Sequence, residues 1–126
     1  YRGSSCNFWA LYDNNPSYVG ATIHMLSKGL DSGDMLFHCL PKFIEGDTLF
    51  DFTMRSVAAV HYGLSEAIQA KELLSMSRIK QDHSQEVRYT RNSDFTDEVA
   101  AEFLSRQYEI KNIDFDYPNL LDPLFY

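Results

Sequence analysis

The pattern of apolar and polar residues changes several times within the first third of the chain. Residues 4–12 are rich in aromatic residues and stop at a run of turn-forming residues, which predicts a short buried helix followed by a turn. From Val19 the apolar residues recur at every second position, so Thr22 and His24 share the opposite face of a predicted strand. Residues 35–40 form a continuous apolar run, MLFHCL, which is typical of a strand covered on both faces.

The middle of the chain carries a longer helical pattern. Asp47 is expected to cap a helix whose large residues recur at alternating spacings of four and three. These residues are Phe50, Met54, Val57, His61, Leu64 and Ile68. We expect this stripe to pack on a sheet. Beyond Ser77 the chain turns polar, and a further helix is predicted after Asp94, with acidic residues in its first turn.

Short strands followed by helices predict an α/β fold with a mixed sheet flanked by helices. Two strands are too little sheet to stand alone, so we expect pairing strands upstream of Tyr1, which is itself an unusual first residue. We divide the chain into residues 1–76, a partial catalytic domain, and residues 77–126, a helical and extended tail.

Composition narrows the possible functions of the 126 residues. An apolar fraction of 44% supports one domain with a real core. The net charge of -7 argues against a nucleic-acid partner, because phosphate binding needs clustered Lys and Arg. Cys6 and Cys39 lack metal-ligand spacing, and no apolar run is long enough to span a membrane. We therefore expect a cytoplasmic protein without a metal site.

The stretch GLDSGDM, residues 29–35, is the strongest candidate for chemistry. Asp31 can simply stabilise a turn through its own backbone. Alternatively, Gly29 and Gly33 let the backbone approach a flat ligand, and the Asp31 carboxylate accepts or relays a proton. His24 is either an ordinary strand residue or a hydrogen-bond partner of Asp31.

Two residues near the start of the chain are candidate substrate contacts. Arg2 is either a surface charge or an anchor for an anionic group of the substrate. Asn7 either lines a pocket or belongs to the packing face of a helix, and the second reading is the commoner one.

Three ordered motifs, YRGSSCNFWAL, VGATIHML and GLDSGDML, resemble the second half of the catalytic domain of folate-dependent formyltransferases. The match spans roughly residues 1–70. It implies the C-terminal portion of a Rossmann-like domain that transfers a formyl group from N10-formyltetrahydrofolate to a primary amine. In that family an Asn and a His upstream of the YRG motif stabilise the tetrahedral oxyanion. Because these 126 residues lack that pair, we expect the chain to be inactive by itself.

The resemblance also implies roles for individual residues. The family's loop aspartate corresponds to Asp31, whose carboxylate orients the catalytic histidine and helps to move the proton lost by the amine. The histidine of the TIHML motif corresponds to His24, a supporting neighbour of that aspartate. The loop whose backbone contacts the pterin ring corresponds to Leu26, Lys28, Gly29 and Leu30.

The acceptor of the formyl group is a separate question. Residues 79–126 hold ten acidic residues against five Lys and Arg, which speaks against tRNA. We favour a small-molecule amine, that of a nucleotide-linked amino sugar. Methionyl-tRNA or glycinamide ribonucleotide formyltransferase-like proteins are alternatives, and so is a non-catalytic folate-binding or interaction module. The aromatic tail at residues 113–126 is expected to pack on its own domain or to form a homodimer contact.

Overall fold

The computed structural model of the protein describes residues 1–106 and the short strand at residues 124–125. Its helices and strands are β1 (Arg2–Gly3), α1 (Cys6–Tyr12), β2 (Ala21–His24), β3 (Met35–Leu40), α2 (Leu49–Gln69), β4 (Tyr89–Thr90), α3 (Asp97–Ser105) and β5 (Leu124–Phe125). Single 3-10 turns occur at Pro16–Tyr18, His83–Gln85 and Asn92–Asp94. The described part is therefore mixed α/β, and the predicted helices and strands are confirmed in type and order.

The main sheet has the strand order β2-β3-β5. Strands β2 and β3 run antiparallel, with Thr22 opposite His38, and a bulge lies between Ile23 and His24. Strand β5 pairs with β3 in parallel and places Leu124 opposite Cys39. The connection from β2 to β3 is the glycine-rich turn predicted from the sequence.

Helix α2 packs on β2 and β3, but with a face that the sequence pattern did not predict. The buried residues of this inner face are Phe52, Ser56, Ala59, Gly63 and Ala67. The prediction that the stripe packs on the sheet is wrong, because four of its residues are exposed: Phe50, Met54, Val57 and Ile68. Apart from Phe52, the buried side chains of the inner face are small, which lets the helix approach the strands closely.

The N-cap of α2 is Thr48, which corrects the expectation of Asp47. The Thr48 hydroxyl accepts a hydrogen bond from the Asp51 amide at 3.1 Å, and the Asp51 carboxylate accepts one from the Thr48 amide at 3.0 Å. This reciprocal pair is a capping box. Asp47 instead accepts two hydrogen bonds, of 2.8 and 2.7 Å, from Arg55. The Arg55 guanidinium holds the pKa of Asp47 below its ordinary value.

Residues 77–106 share a core with residues 1–76. Phe103 of α3 is buried in one cluster with Leu11 and Phe52, and its ring packs edge-on against Phe8. Strand β4 pairs with β1, where the positive φ of Gly3 and its close approach to the Thr90 carbonyl leave no room for a side chain. The described part of residues 77–126 is thus integrated with the preceding segment.

Candidate functional site

The loop between β2 and β3, residues 25–34, contains the candidate chemistry. A backbone hydrogen bond of 2.9 Å from the Met25 amide to the Asp34 carbonyl closes its base. Gly33 is buried there, and a Cβ at this position would overlap the Met25 carbonyl oxygen. The second glycine of the motif is therefore required by close packing within the protein, beside the ring of His24.

Asp31 lies at the tip of this loop with an exposed side chain. Its φ of 49° is in the left-handed region, which aspartate tolerates better than most residues. Burial is the main reason that the pKa of Cys6 is raised, and the negative charge of Asp31 adds to it.

His24 lies next to the loop but bonds elsewhere. Its Nδ1 lies 3.0 Å from the Met25 carbonyl oxygen, so that this nitrogen donates a hydrogen bond when it carries the proton. The alternative partner considered from the sequence, the Asp31 carboxylate, forms no hydrogen bond with His24 among the described residues. The half-buried imidazole packs against Gly33 and supports the base of the loop.

The residues expected to contact the pterin form the exposed part of the loop. Leu26 is 97% exposed and Leu30 is 76% exposed, and Lys28 and Gly29 are also exposed. Two serines hold this segment together, because the Ser27 and Ser32 hydroxyls are hydrogen-bonded at 2.8 Å. The loop thus presents two leucine side chains to solvent from a backbone with internal hydrogen bonds.

Gln81 braces the same loop from a distant part of the sequence. Its Nε2 donates hydrogen bonds to the carbonyl oxygens of Asp31, at 2.9 Å, and Gly33, at 2.8 Å. Two residues earlier, Ile79 forms an antiparallel bridge with Met35. The sequence reasoning missed Gln81, since a lone glutamine in a polar run carries no signal that it faces a loop 50 residues away.

Arg2 and Asn7, the two candidate substrate contacts, are both engaged within the protein. Arg2 pairs with Glu86 at 3.1 Å, donates to His83 Nδ1 at 3.2 Å and stacks over the Tyr89 ring. These contacts tie β1 to the segment that precedes and forms β4.

Asn7 uses both ends of its carboxamide in the core. Its Nδ2 donates to the Ser56 hydroxyl at 2.6 Å, and its Oδ1 accepts from the Gly20 amide at 2.9 Å. Asn7 thus joins α1, α2 and the residue before β2, and its polar atoms face these partners, as the packing alternative expects.

Three further observations concern the residues that the structure describes. No group of three or more His, Cys, Asp or Glu there is arranged to hold a metal ion. His38 sits in β3 and pairs with the Thr22 hydroxyl at 2.9 Å, and burial lowers its pKa. In the same part of the chain, no helix is both long enough and apolar enough to cross a membrane.

Comparison with known proteins adds no family to this description. The sequence matches no model of a known protein family, and no curated protein matches it either. The formyltransferase resemblance therefore stays a prediction from the three sequence motifs. The tail contacts expected for residues 113–126 fall largely outside the described residues.

Proposed function

We propose that this chain is the C-terminal portion of a Rossmann-like folate-dependent formyltransferase domain, with the loop at residues 25–34 as its cofactor site. The observation that carries the proposal is the pair of exposed leucines, Leu26 and Leu30, on a braced loop beside the Asp31 carboxylate. The cofactor is N10-formyltetrahydrofolate, and the acceptor is the primary amine of a nucleotide-linked amino sugar.

The exposed leucines support the binding of a flat ring system. Removing apolar surface from water stabilises a complex by about 25 cal/mol for each Å² buried. A pterin ring placed against Leu26 and Leu30 removes part of that surface from water. The carbonyl and amide groups of the loop supply hydrogen-bonding partners for the polar edge of the ring.

The chemistry assigned to Asp31 is proton transfer. When the amine nitrogen attacks the formyl carbon, a C–N bond forms and the carbonyl becomes a tetrahedral oxyanion. The intermediate then collapses, the bond from the formyl carbon to N10 breaks, and the proton lost by the amine ends on N10 of tetrahydrofolate. An exposed carboxylate at the loop tip is suited to accept that proton and release it.

A non-catalytic folate-binding module is the second candidate. The same loop supports it, because Leu26, Leu30 and the Gln81 brace serve binding without any reaction. The resemblance assigns the oxyanion-stabilising Asn and His to an element outside these residues, so binding is the property to measure on this chain.

Binding of a stable cofactor analogue tests the proposal. We expect 10-formyl-5,8-dideazafolate to bind the purified chain in isothermal titration calorimetry. Leu30→Ala should weaken binding about fivefold, since it removes roughly 1 kcal/mol of apolar contact. Leu104 in α3 is also 76% exposed, which makes Leu104→Ala a matched control that leaves binding unchanged.

The two variants separate the possible outcomes. If the analogue does not bind at millimolar concentration, or if both leucine variants weaken it equally, the loop is not a folate site. Turnover by the 126-residue chain with an amino-sugar nucleotide would contradict the expectation that it is inactive by itself.

A further inference from the structure

The face of α2 that points away from the sheet carries a second regular pattern. Its members are Phe50, Met54, Val57, His61, Leu64 and Ile68, which we call the outer seam of α2. The spacings of four and three correspond to a 3.5-residue repeat, the period of helices that pack along one another. Apart from the half-buried Leu64, these side chains are exposed, although large apolar patches are uncommon on monomeric proteins.

We propose that the outer seam binds the outer seam of a second copy of this chain, with the two helices antiparallel. The seam is symmetric about residue 59, because Phe50 and Ile68 each lie nine positions from it. An antiparallel pair related by a two-fold axis therefore brings Phe50 of one copy to the partner's Ile68. The same symmetry sets Met54 against the partner's Leu64.

The surface around Ile68 has a shallow depression. It is lined by His61, Leu64, Ser65, Ile68 and Gln69. In packing between helices, a side chain from one helix inserts among four residues of the other. Phe50, which protrudes at the opposite end of the seam, fills that role in the antiparallel arrangement.

Charges beside the seam favour the antiparallel orientation. Asp51 lies in the first turn of α2, and Lys71 follows the last turn, and both are exposed. Antiparallel helices bring Asp51 towards the partner's Lys71 and the adjacent Glu72, whereas parallel helices would set each of these charges against its own copy. Ala58 and Ser65, which flank the middle of the seam, are uncharged and oppose neither orientation.

The size of the seam predicts a weak dimer. A helix of 21 residues is about 31 Å long. Its exposed apolar side chains present on the order of 400 to 500 Å² per copy, so the pair buries about 800 to 1,000 Å² in total, at or just below the lower limit for a specific interface. We expect a dissociation constant in the micromolar range or weaker.

Sedimentation equilibrium of the purified chain tests the interface. We expect a concentration-dependent dimer, with association weakened at least tenfold by Phe50→Asp, which puts a charge into the seam. Leu74→Asp is the control, because Leu74 is more exposed than Phe50 but lies outside α2, and it should leave the dimer unchanged. Circular dichroism should show both variants folded. A wild-type chain that stays monomeric, or a dimer that is indifferent to Phe50→Asp, would overturn the proposal.

Cross-linking with a short bismaleimide tests the orientation. Chains carrying Met54→Cys, mixed with chains carrying Leu64→Cys, should form a covalent heterodimer. Met54→Cys alone should not, because the two copies of position 54 lie about 15 Å apart along antiparallel helices. The wild-type chain, which keeps Cys6 and Cys39, gives the background. Efficient linking of Met54→Cys to itself would contradict the antiparallel arrangement.

Discussion

Phe50 and Phe52 stand two positions apart on α2 and occupy opposite environments. The Phe50 side chain is 70% exposed, whereas that of Phe52 is 1% exposed and packs in the core with Leu11 and Phe103. The difference comes from their neighbours along the helix. Phe52 shares its face with Ser56 and smaller residues, which let the helix lie close to the strands, so the bulkier face is left outside.

The largest expected effect separates these two phenylalanines. Phe52→Ala should lower the free energy of unfolding by about 3–5 kcal/mol, because it removes a buried ring and leaves a cavity. Phe50→Ala, the matched control, should change it by less than about 0.5 kcal/mol. Urea unfolding at low protein concentration, where self-association does not contribute, measures both. Similar losses for the two variants would mean that the outer face of α2 is buried.

Substitutions at two neighbouring alanines compare the inner and outer faces of α2 by adding side-chain volume instead of removing it. Ala59 is fully buried against the cluster that contains Phe37 and Cys39, so Ala59→Leu should destabilise the protein by about 1–3 kcal/mol through overpacking. Ala58 is exposed, and Ala58→Leu should be nearly neutral. If thermal unfolding showed Ala59→Leu to be the milder change, the inner face would not be closely packed on the strands.

This contrast also explains which parts of the fold were predictable from sequence. Strand β3 was predicted over residues 35–40, and α2 was predicted as one long helix, because composition and period are local properties. The buried face of α2 was not predictable in this way, since its largest apolar residues point outwards. Ala59 packs against residues of β3, and the Ser56 hydroxyl is bonded to Asn7 of α1, so the choice of buried face depends on contacts between distant segments.

In the candidate site, too, some features follow from the local sequence and others depend on tertiary contacts. The turn between β2 and β3 and the exposed position of Asp31 follow from the local sequence GLDSGD. The close packing of Gly33 does not follow from the local sequence, because it depends on the Met25 carbonyl oxygen at the other end of the loop. The role of Gln81 depends on a contact between distant segments, which a single sequence does not encode locally.

The smallest expected effect on the free energy of unfolding concerns the N-terminus of α2. Thr48→Ala should cost about 1 kcal/mol at pH 7, because it removes the cap. Thr53, whose hydroxyl bonds back to the Phe50 carbonyl inside the helix, provides a near-neutral control as Thr53→Ala.

The pH dependence of the destabilisation by Thr48→Ala tests whether the capping box is its source. Hydrogen bonds from the Thr48 side chain and amide hold the pKa of Asp51 below its ordinary value near 3.8. A lowered pKa in the folded state gives stability that is present above the ordinary value and lost as the pH falls through the folded value. The gap between wild type and Thr48→Ala should therefore narrow on acidification below about pH 4. A gap that stayed constant in urea titrations from pH 7 to the acid limb would show that Asp51 and Thr48 do not act together, and the cost of the variant would then reflect the Thr48 hydroxyl alone.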